Sequence, residues 1–345
     1  MKKILLIFCT ILFTACTELS DLPPSNFTFG GGAFVLNEGN FNAGNGSLSF
    51  WSYDSLKIFN DLFSLSNGRP LGDVPNSILV YQGKAFIVVN NSGKIEVIDH
   101  QTFKSTGTIS GLDSPRNMAI INDGKAYVTS LYSDSMAIVD LYSNSVSGHI
   151  GLGRSSEAII LAGNLAYVSN WMQGNKIMVV NTLDNKVVDS IEVGIEPESM
   201  VIDRDYRLWV LCNGGWQREN FAELDVINTI TNNVEKKYVF PSLQDSPSCL
   251  KIDGFGQNLF YINKGVRQMD IYAASLPAYS LVVPETGSNF NKIAINPVNS
   301  DIFISDALDY MQNGYLHIYK NNGAFVSKHR TGIIPGAINF RITTK

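Results

Sequence analysis

Apolar positions along this chain follow two alternating rhythms. A continuous run, Ala85-Phe86-Ile87-Val88-Val89, is followed by an amide-rich stretch, Asn90-Asn91-Ser92-Gly93. Then comes a period-two segment, Lys94-Ile95-Glu96-Val97-Ile98-Asp99. A short apolar run suits a strand covered on both faces, and strict alternation marks a half-buried strand. The plan returns as KAYVTS then SMAIVD between Lys125 and Asp140, and as LAYVS then KIMVVN between Leu165 and Asn181. Each pair is preceded by another apolar strand entered at a Pro slot: Pro75, Pro115, Pro197, Pro247 and Pro335, with Ser156 and Phe290 in the same slot of two more repeats. A more polar segment, such as Val187–Val193 or Phe325–His329, closes each unit and suits an outer edge. The period is roughly forty residues, with an insertion between Pro197 and Pro247; an all-β unit of that length is the mark of a propeller blade.

Seven slots imply seven blades. The first full repeat does not start at the N-terminus: Ala33–Leu36 reads as a second strand and Ser47–Ser52 as a third. Their missing first strand is available at Ala337–Arg341. The expected fold is therefore an all-β, seven-bladed β-propeller closed by pairing of the C-terminal strand with the first blade. Blade six is the least regular, because its third strand, Val266–Ile271, carries Arg267 and Asp270. A length of 345 residues alone would suggest two or three domains. Stacked blades share one core, so 30–345 reads as a single domain.

The N-terminus adds an address. Met1-Lys2-Lys3 is a short basic segment, and Ile4–Phe13 is an apolar run too short to span a bilayer. Thr14-Ala15-Cys16 places small residues before a cysteine. This resembles a bacterial lipoprotein signal over 1–15, with cleavage before Cys16 and lipidation of its thiol. An ordinary secretory signal with an incidental cysteine is the alternative. Residues 16–29, with Pro23-Pro24, read as a tether.

The runs Val35-Leu36-Asn37-Glu38-Gly39-Asn40, Asn67-Gly68-Arg69-Pro70-Leu71-Gly72-Asp73-Val74 and Asn90-Asn91-Ser92-Gly93-Lys94-Ile95-Glu96-Val97 resemble the YncE-like propeller lipoproteins of Gram-negative gut bacteria. The similarity covers nearly all of the chain after the signal. One branch that it resembles is the BtuG type, which captures cobalamin at the cell surface and passes it to an outer-membrane TonB-dependent transporter. The resemblance implies a lipid-anchored protein of the outer membrane, exposed at the cell surface, with a corrinoid as bound ligand rather than cofactor and a transporter as partner.

Blade topology then selects a face. The loops between second and third strands emerge beside the entries of the first strands. They carry Asn170-Trp171-Met172-Gln173-Gly174, Asn213-Gly214-Gly215-Trp216, Leu131-Tyr132 and Asp309-Tyr310-Met311. The turns at the other end are short and ordinary. Aromatic rings and amides on one rim suit recognition of a bulky polar ligand. The residue after each Pro slot should ring the mouth of the central channel. The expected ligand-binding residues are Asn76, Arg116, Tyr132, Glu157, Trp171, Glu198, Trp216 and Tyr310. The structural alternative is that Asn and Gly serve turns, that Trp rings cap blades, and that the ring charges neutralise one another.

Composition and charge narrow the classes. A formal net charge of −5 and the lack of a basic cluster argue against nucleic acid. His100, His149, His317 and His329 show no metal-ligand spacing, and no nucleophile elbow or dinucleotide fingerprint is present. Glu157 and Glu198 as cation ligands of a lactonase-like enzyme would be opposed by Arg116. The reading is therefore of a binding protein with no catalytic residues, metal or cofactor. A glycan-binding lipoprotein, an envelope interaction scaffold and a metal-dependent lactonase are the alternatives. Cys212 and Cys249 either form a disulfide or are two buried thiols.

Overall fold

Seven antiparallel sheets form a closed ring in the computed structural model, which describes residues 29–342. The expected signal, the expected lipidation site Cys16 and residues 17–28 lie outside the described residues. In blade two the strands Pro75–Tyr81, Lys84–Val89, Lys94–Asp99 and Ser105–Ser110 follow one another from channel to rim. Gln82 and Gly83, both at positive φ, join the first two as a tight hairpin of the kind whose twist matches its strands. Five further sheets are also four-stranded, and the expected closure holds. In blade one the order is Pro335–Arg341, Gly32–Asn37, Ser47–Ser52, Ile58–Phe59, with Ala33 opposite Phe340 and Val35 opposite Ile338. Phe29, assigned by sequence to the tether, is already buried among Phe50, Phe59 and Phe103.

Blade six departs from the others. Only Ser248–Ile252, Asn258–Ile262 and Val266–Asp270 pair. The segment after Asp270 holds no strand, and its backbone touches the third strand only where Val266 bridges Val282. Arg267 and Asp270 do not disturb the third strand, which pairs in unbroken register with Asn258–Ile262; blade six is irregular because its fourth strand is missing.

The core lies between neighbouring sheets rather than at the centre of the disc. Phe34, Leu48 and Phe50 of blade one pack on Ile78, Ile87 and Ile98 of blade two. Phe86, Val88 and Val97 of blade two then meet Val128 and Val139 of blade three. A second strand is therefore covered on both faces, which is why these strands read as unbroken apolar runs. Cys212 and Cys249 are free and buried. The Cys249 thiol sits against the Ile293 backbone, accepting its N–H at 3.3 Å, so the thiol alternative holds.

Candidate functional site

Six of the seven innermost strands carry the same irregularity at their entry. The ladder shifts register after Pro75, Pro115, Pro197, Ser248, Phe290 and Pro335, so that a residue immediately past the entry is bulged out of pairing. A bulge re-aims the side chain it lifts out. Here Asn76 and Glu198 line the channel, Arg116 turns to Glu157, Asn291 bonds the Pro335 carbonyl, and Gly336 presents bare backbone. In blade four Glu157 takes the equivalent place just ahead of the short strand Ile159–Ala162.

Four entries are also bent the same way. Val74, Ser114, Glu196 and Ile334, each directly before a proline, have φ between 41 and 56°. For β-branched Val74 and Ile334 this is a costly conformation, of order 1–3 kcal/mol each. The carbonyl of each bent residue is pinned by the N–H at the start of a second-to-third-strand loop: Asn90 to Val74 at 2.8 Å, Leu131 to Ser114 at 3.1 Å, Asn213 to Glu196 at 3.2 Å and Glu38 to Ile334 at 2.9 Å. Loop and channel entry are thus one unit, and the sequence reading placed both at the same end of the disc for the correct reason.

The mouth holds three carboxylates and two cations. Arg116 grips Glu157 with two bonds, Nε to Oε2 at 2.6 Å and an Nη to Oε1 at 3.0 Å. Burial works against the Arg116 guanidinium, yet Glu157, Glu38 and Glu198 outweigh it and hold its pKa above the ordinary value. Lys292 stands 3.6 Å from Glu198. It is packed among the inner strands yet keeps 38 % of its side chain exposed to the channel; desolvation disfavours its charge, but Glu198, Cys249, Glu38 and Glu157 raise its pKa. Glu198 also accepts the backbone N–H of Cys249 at 2.8 Å. Glu38 leans over Gly336, where an added Cβ would meet its Oε1 at 2.6 Å. Desolvation raises the Glu38 pKa, partly offset by Lys292, Arg116 and Asn291. From the mouth inward the channel is a cavity of about 250 Å³ lined by Asn76, Asn117, Glu157, Glu198, Lys292 and Asn339 among further polar and apolar neighbours.

Trp171 belongs to this cluster. The Arg116 guanidinium carbon lies 6.0 Å from its ring centroid, at the outer limit of a cation–π contact. Its indole N–H is buried and has no hydrogen-bond partner. An unpaired buried donor costs about 1–3 kcal/mol, so an acceptor placed there would recover it.

The predicted residues therefore divide. Arg116, Glu157 and Trp171 are brought together, and Glu198 joins them through Lys292. Asn76 lines the channel, but its Nδ2 is committed to the Arg116 carbonyl at 2.7 Å, joining blades two and three. Tyr132, Tyr310 and Trp216 stand out on the same face as Trp171, Trp216 being 84 % exposed. Many of the amides expected to offer donors are spent within the loops. Asn90 binds the Pro115 carbonyl, Asn170 binds Ser155 and Asn263 binds Asp245. Sequence reasoning missed Lys292 and Glu38 as members of the mouth. Lys292 sits one place past the bulged Asn291 of its inner strand, paired opposite Ser305, and Glu38 sits one place past the second strand of blade one, so neither falls on the position after a Pro slot that the sequence pointed to. Among the described residues, no three His, Cys, Asp or Glu side chains converge as metal ligands.

Solved structures with this architecture are numerous. A quinonprotein alcohol dehydrogenase-like protein from Bacteroides thetaiotaomicron aligns with TM-score 0.70 at 14% identity, over 91% of this chain and 79% of its own. A functionally unknown protein from Desulfotomaculum acetoxidans gives 0.68 at 15% identity, over 90% and 99%. The periplasmic gluconolactonase of Pseudomonas aeruginosa gives 0.67 at 10% identity, over 90% and 99%. At such identities the likeness shows the fold alone. No curated protein matches the sequence. A family model does, over residues 31–331, from the paired second strand of blade one to the outer strand of blade seven, and the chain belongs to the family described as a domain of unknown function, DUF5074.

Proposed function

We propose that this protein is a non-enzymatic, lipid-anchored capture protein of the outer membrane, whose loop-bearing face holds a small polar ligand over the channel mouth. The observation that carries this reading is the Trp171 indole N–H, buried and unpaired beside the Arg116–Glu157 pair. A ligand acceptor there would satisfy a donor that the fold leaves empty, while the exposed rings of Tyr132, Trp216 and Tyr310 supply contact area around it. Glu157 and Glu198 each turn to a cation instead of to a common point, which favours recognition over metal chemistry.

The resemblance to the BtuG type supports a corrinoid as the ligand and a TonB-dependent transporter as the partner. The channel sets a limit on how it would bind. A cavity of about 250 Å³ lies below the roughly 300–1,000 Å³ usual for pockets that enclose drug-sized ligands. A corrinoid would lie across the rim, with at most one amide side group entering the mouth. Titration calorimetry with cobalamin and cobinamide tests the assignment, the expected result being micromolar or tighter binding that Trp171→Ala weakens. Absence of heat with both would remove the corrinoid and leave a glycan, to be sought on a polysaccharide array.

A further inference from the structure

The turn-bearing face is less plain than its short turns suggest. Five blades end their third strand in the same way, with an Asp or Asn side chain accepting the N–H of the second residue beyond it. Asp99 holds Gln101, Asp140 holds Tyr142, Asn181 holds Leu183, Asn228 holds Ile230 and Asp270 holds Tyr272. This turn pushes the held residue outward, and in four of the five it is apolar or aromatic. Tyr142 is 80 %, Leu183 72 %, Ile230 91 % and Tyr272 64 % exposed. Single exposed apolar side chains are ordinary. The same turn offering one from blade after blade, at one end of a disc, is a surface.

The chain enters the fold at this same end. Gly30 donates its N–H to Asp54 in the outer turn of blade one at 3.1 Å, and Arg341 binds the Gly30 carbonyl at 2.7 Å and the His100 carbonyl in the outer turn of blade two at 2.5 Å. Phe29, locked into the aromatic cluster between these blades, fixes the exit point. From Cys16 to Phe29 a fully extended chain reaches at most about 45 Å, and a flexible one spans about 20 Å on average. A lipid on Cys16 therefore favours the turn-bearing face toward the bilayer, the end where the chain enters, over the opposite face, which the tether would have to pass along the side of the disc to present.

We propose that the turn-bearing face is a membrane-contacting surface, with Tyr142, Leu183 and Ile230 dipping into the lipid interface and the capture face directed away from it; Tyr272 lies flatter, its hydroxyl bonded to Asp205 and its ring against Arg207. The inference rests on the lipid-anchored reading. Tyr and aliphatic tips suit the headgroup boundary. Asp140, Asp184 and Asp270 stand among the tips, so the contact is apolar and would not need anionic lipid.

The test uses the full-length protein, processed by a Gram-negative host and reconstituted on phosphatidylcholine vesicles. Leu183→Cys, Ile230→Cys and, on the other face, Tyr132→Cys each receive an environment-sensitive fluorophore; the native Cys212 and Cys249 are buried and will not compete. All three positions are surface tips, and circular dichroism of the labelled proteins checks the fold. The expected result is blue-shifted emission and quenching by brominated lipid at 183 and 230, with neither at 132. Water-like emission at 183 and 230 in vesicle-bound protein overturns the proposal, as does equal quenching at 132. A shift that appears without vesicles and grows with protein concentration assigns the face to self-association and also overturns it. Mass spectrometry of the same sample separates the two readings. Acylated Cys16 with dry tips supports both, acylated Cys16 with wet tips refutes only this one, and unmodified Cys16 removes the anchor and this orientation with it.

Discussion

Replacing Arg116 by Met should expose how much the channel mouth depends on one side chain. Exposed ion pairs are worth about 0–1 kcal/mol, whereas removing one partner of a fully buried pair costs about 3–5 kcal/mol. Arg116 and Glu157 keep 16 and 11 % of their side chains exposed and are joined by two bonds. The pair lies nearer the buried limit, so Arg116→Met should cost about 2–3 kcal/mol, Glu157→Gln about 2, and the double variant about 3 rather than the sum. The loss should also depend on pH. Burial already raises the Glu38 pKa, and Arg116 is one of the charges that offset this. Without Arg116 the Glu38 pKa rises further, the folded state holds a proton that the unfolded state releases, and stability is highest in acid and falls as pH rises through the folded pKa. Arg116→Met should therefore cost more at pH 7 than at pH 4. Urea unfolding of the four proteins at both pH values measures the cycle. Additive costs at pH 7, or a cost independent of pH, would refute the electrostatic account of the mouth.

Asp306 is buried against His317 at 3.1 Å and accepts the N–H groups of Asn289 and Leu308. Burial opposes its charge, but these bonds prevail and lower its pKa from 3.8 to about 2. The associated stability, about 2 kcal/mol, is present above pH 4 and lost as pH falls toward 2; Asp306→Asn should flatten that part of the stability–pH curve measured by urea titration. Gly336→Ala should push Glu38 out of the mouth while moving the melting temperature little, because the obstructing atom is the end of a flexible side chain. Calorimetry with whichever corrinoid binds should then show weakened affinity. Deleting 334–345 removes the innermost strand of blade one and strips cover from Ala33 and Val35. Size-exclusion chromatography should find aggregate instead of folded monomer.

The architecture was legible because second strands lie between two neighbouring sheets and read as unbroken apolar runs. The alternation of third strands pointed to a half-buried face, but the polar side chains there are buried too: Glu96, Asp225 and His317 are fully covered and paired with Arg69, Lys237 and Asp306. Closure was legible because Ala33–Leu36 had a second strand's pattern with no first strand before it. The site was only half legible. The Pro slot marked where each inner strand enters, and the ring residues Arg116, Glu157 and Glu198 followed from it. Lys292 and Glu38 were overlooked for another reason: Lys292 is a paired residue one place past the bulged Asn291, opposite Ser305, and Glu38 comes from the loop after Gly32–Asn37, and only the folded ring brings both to the mouth. The amides of Asn90, Asn170 and Asn263 looked available in sequence, since nothing local reveals that each reaches a backbone or side chain distant in the chain.

A residue lifted out of a ladder contributes nothing to strand pairing, and its replacement leaves the register of the sheet intact. Six of the seven blades thus offer the channel a position outside the strand ladder, held by contacts of its side chain instead of by the register of its sheet. A ring of such positions works like a combination lock: relatives sharing every strand could differ at these few sites alone and select chemically unrelated molecules, so cargo within the family is better inferred from the bulged residues than from overall likeness.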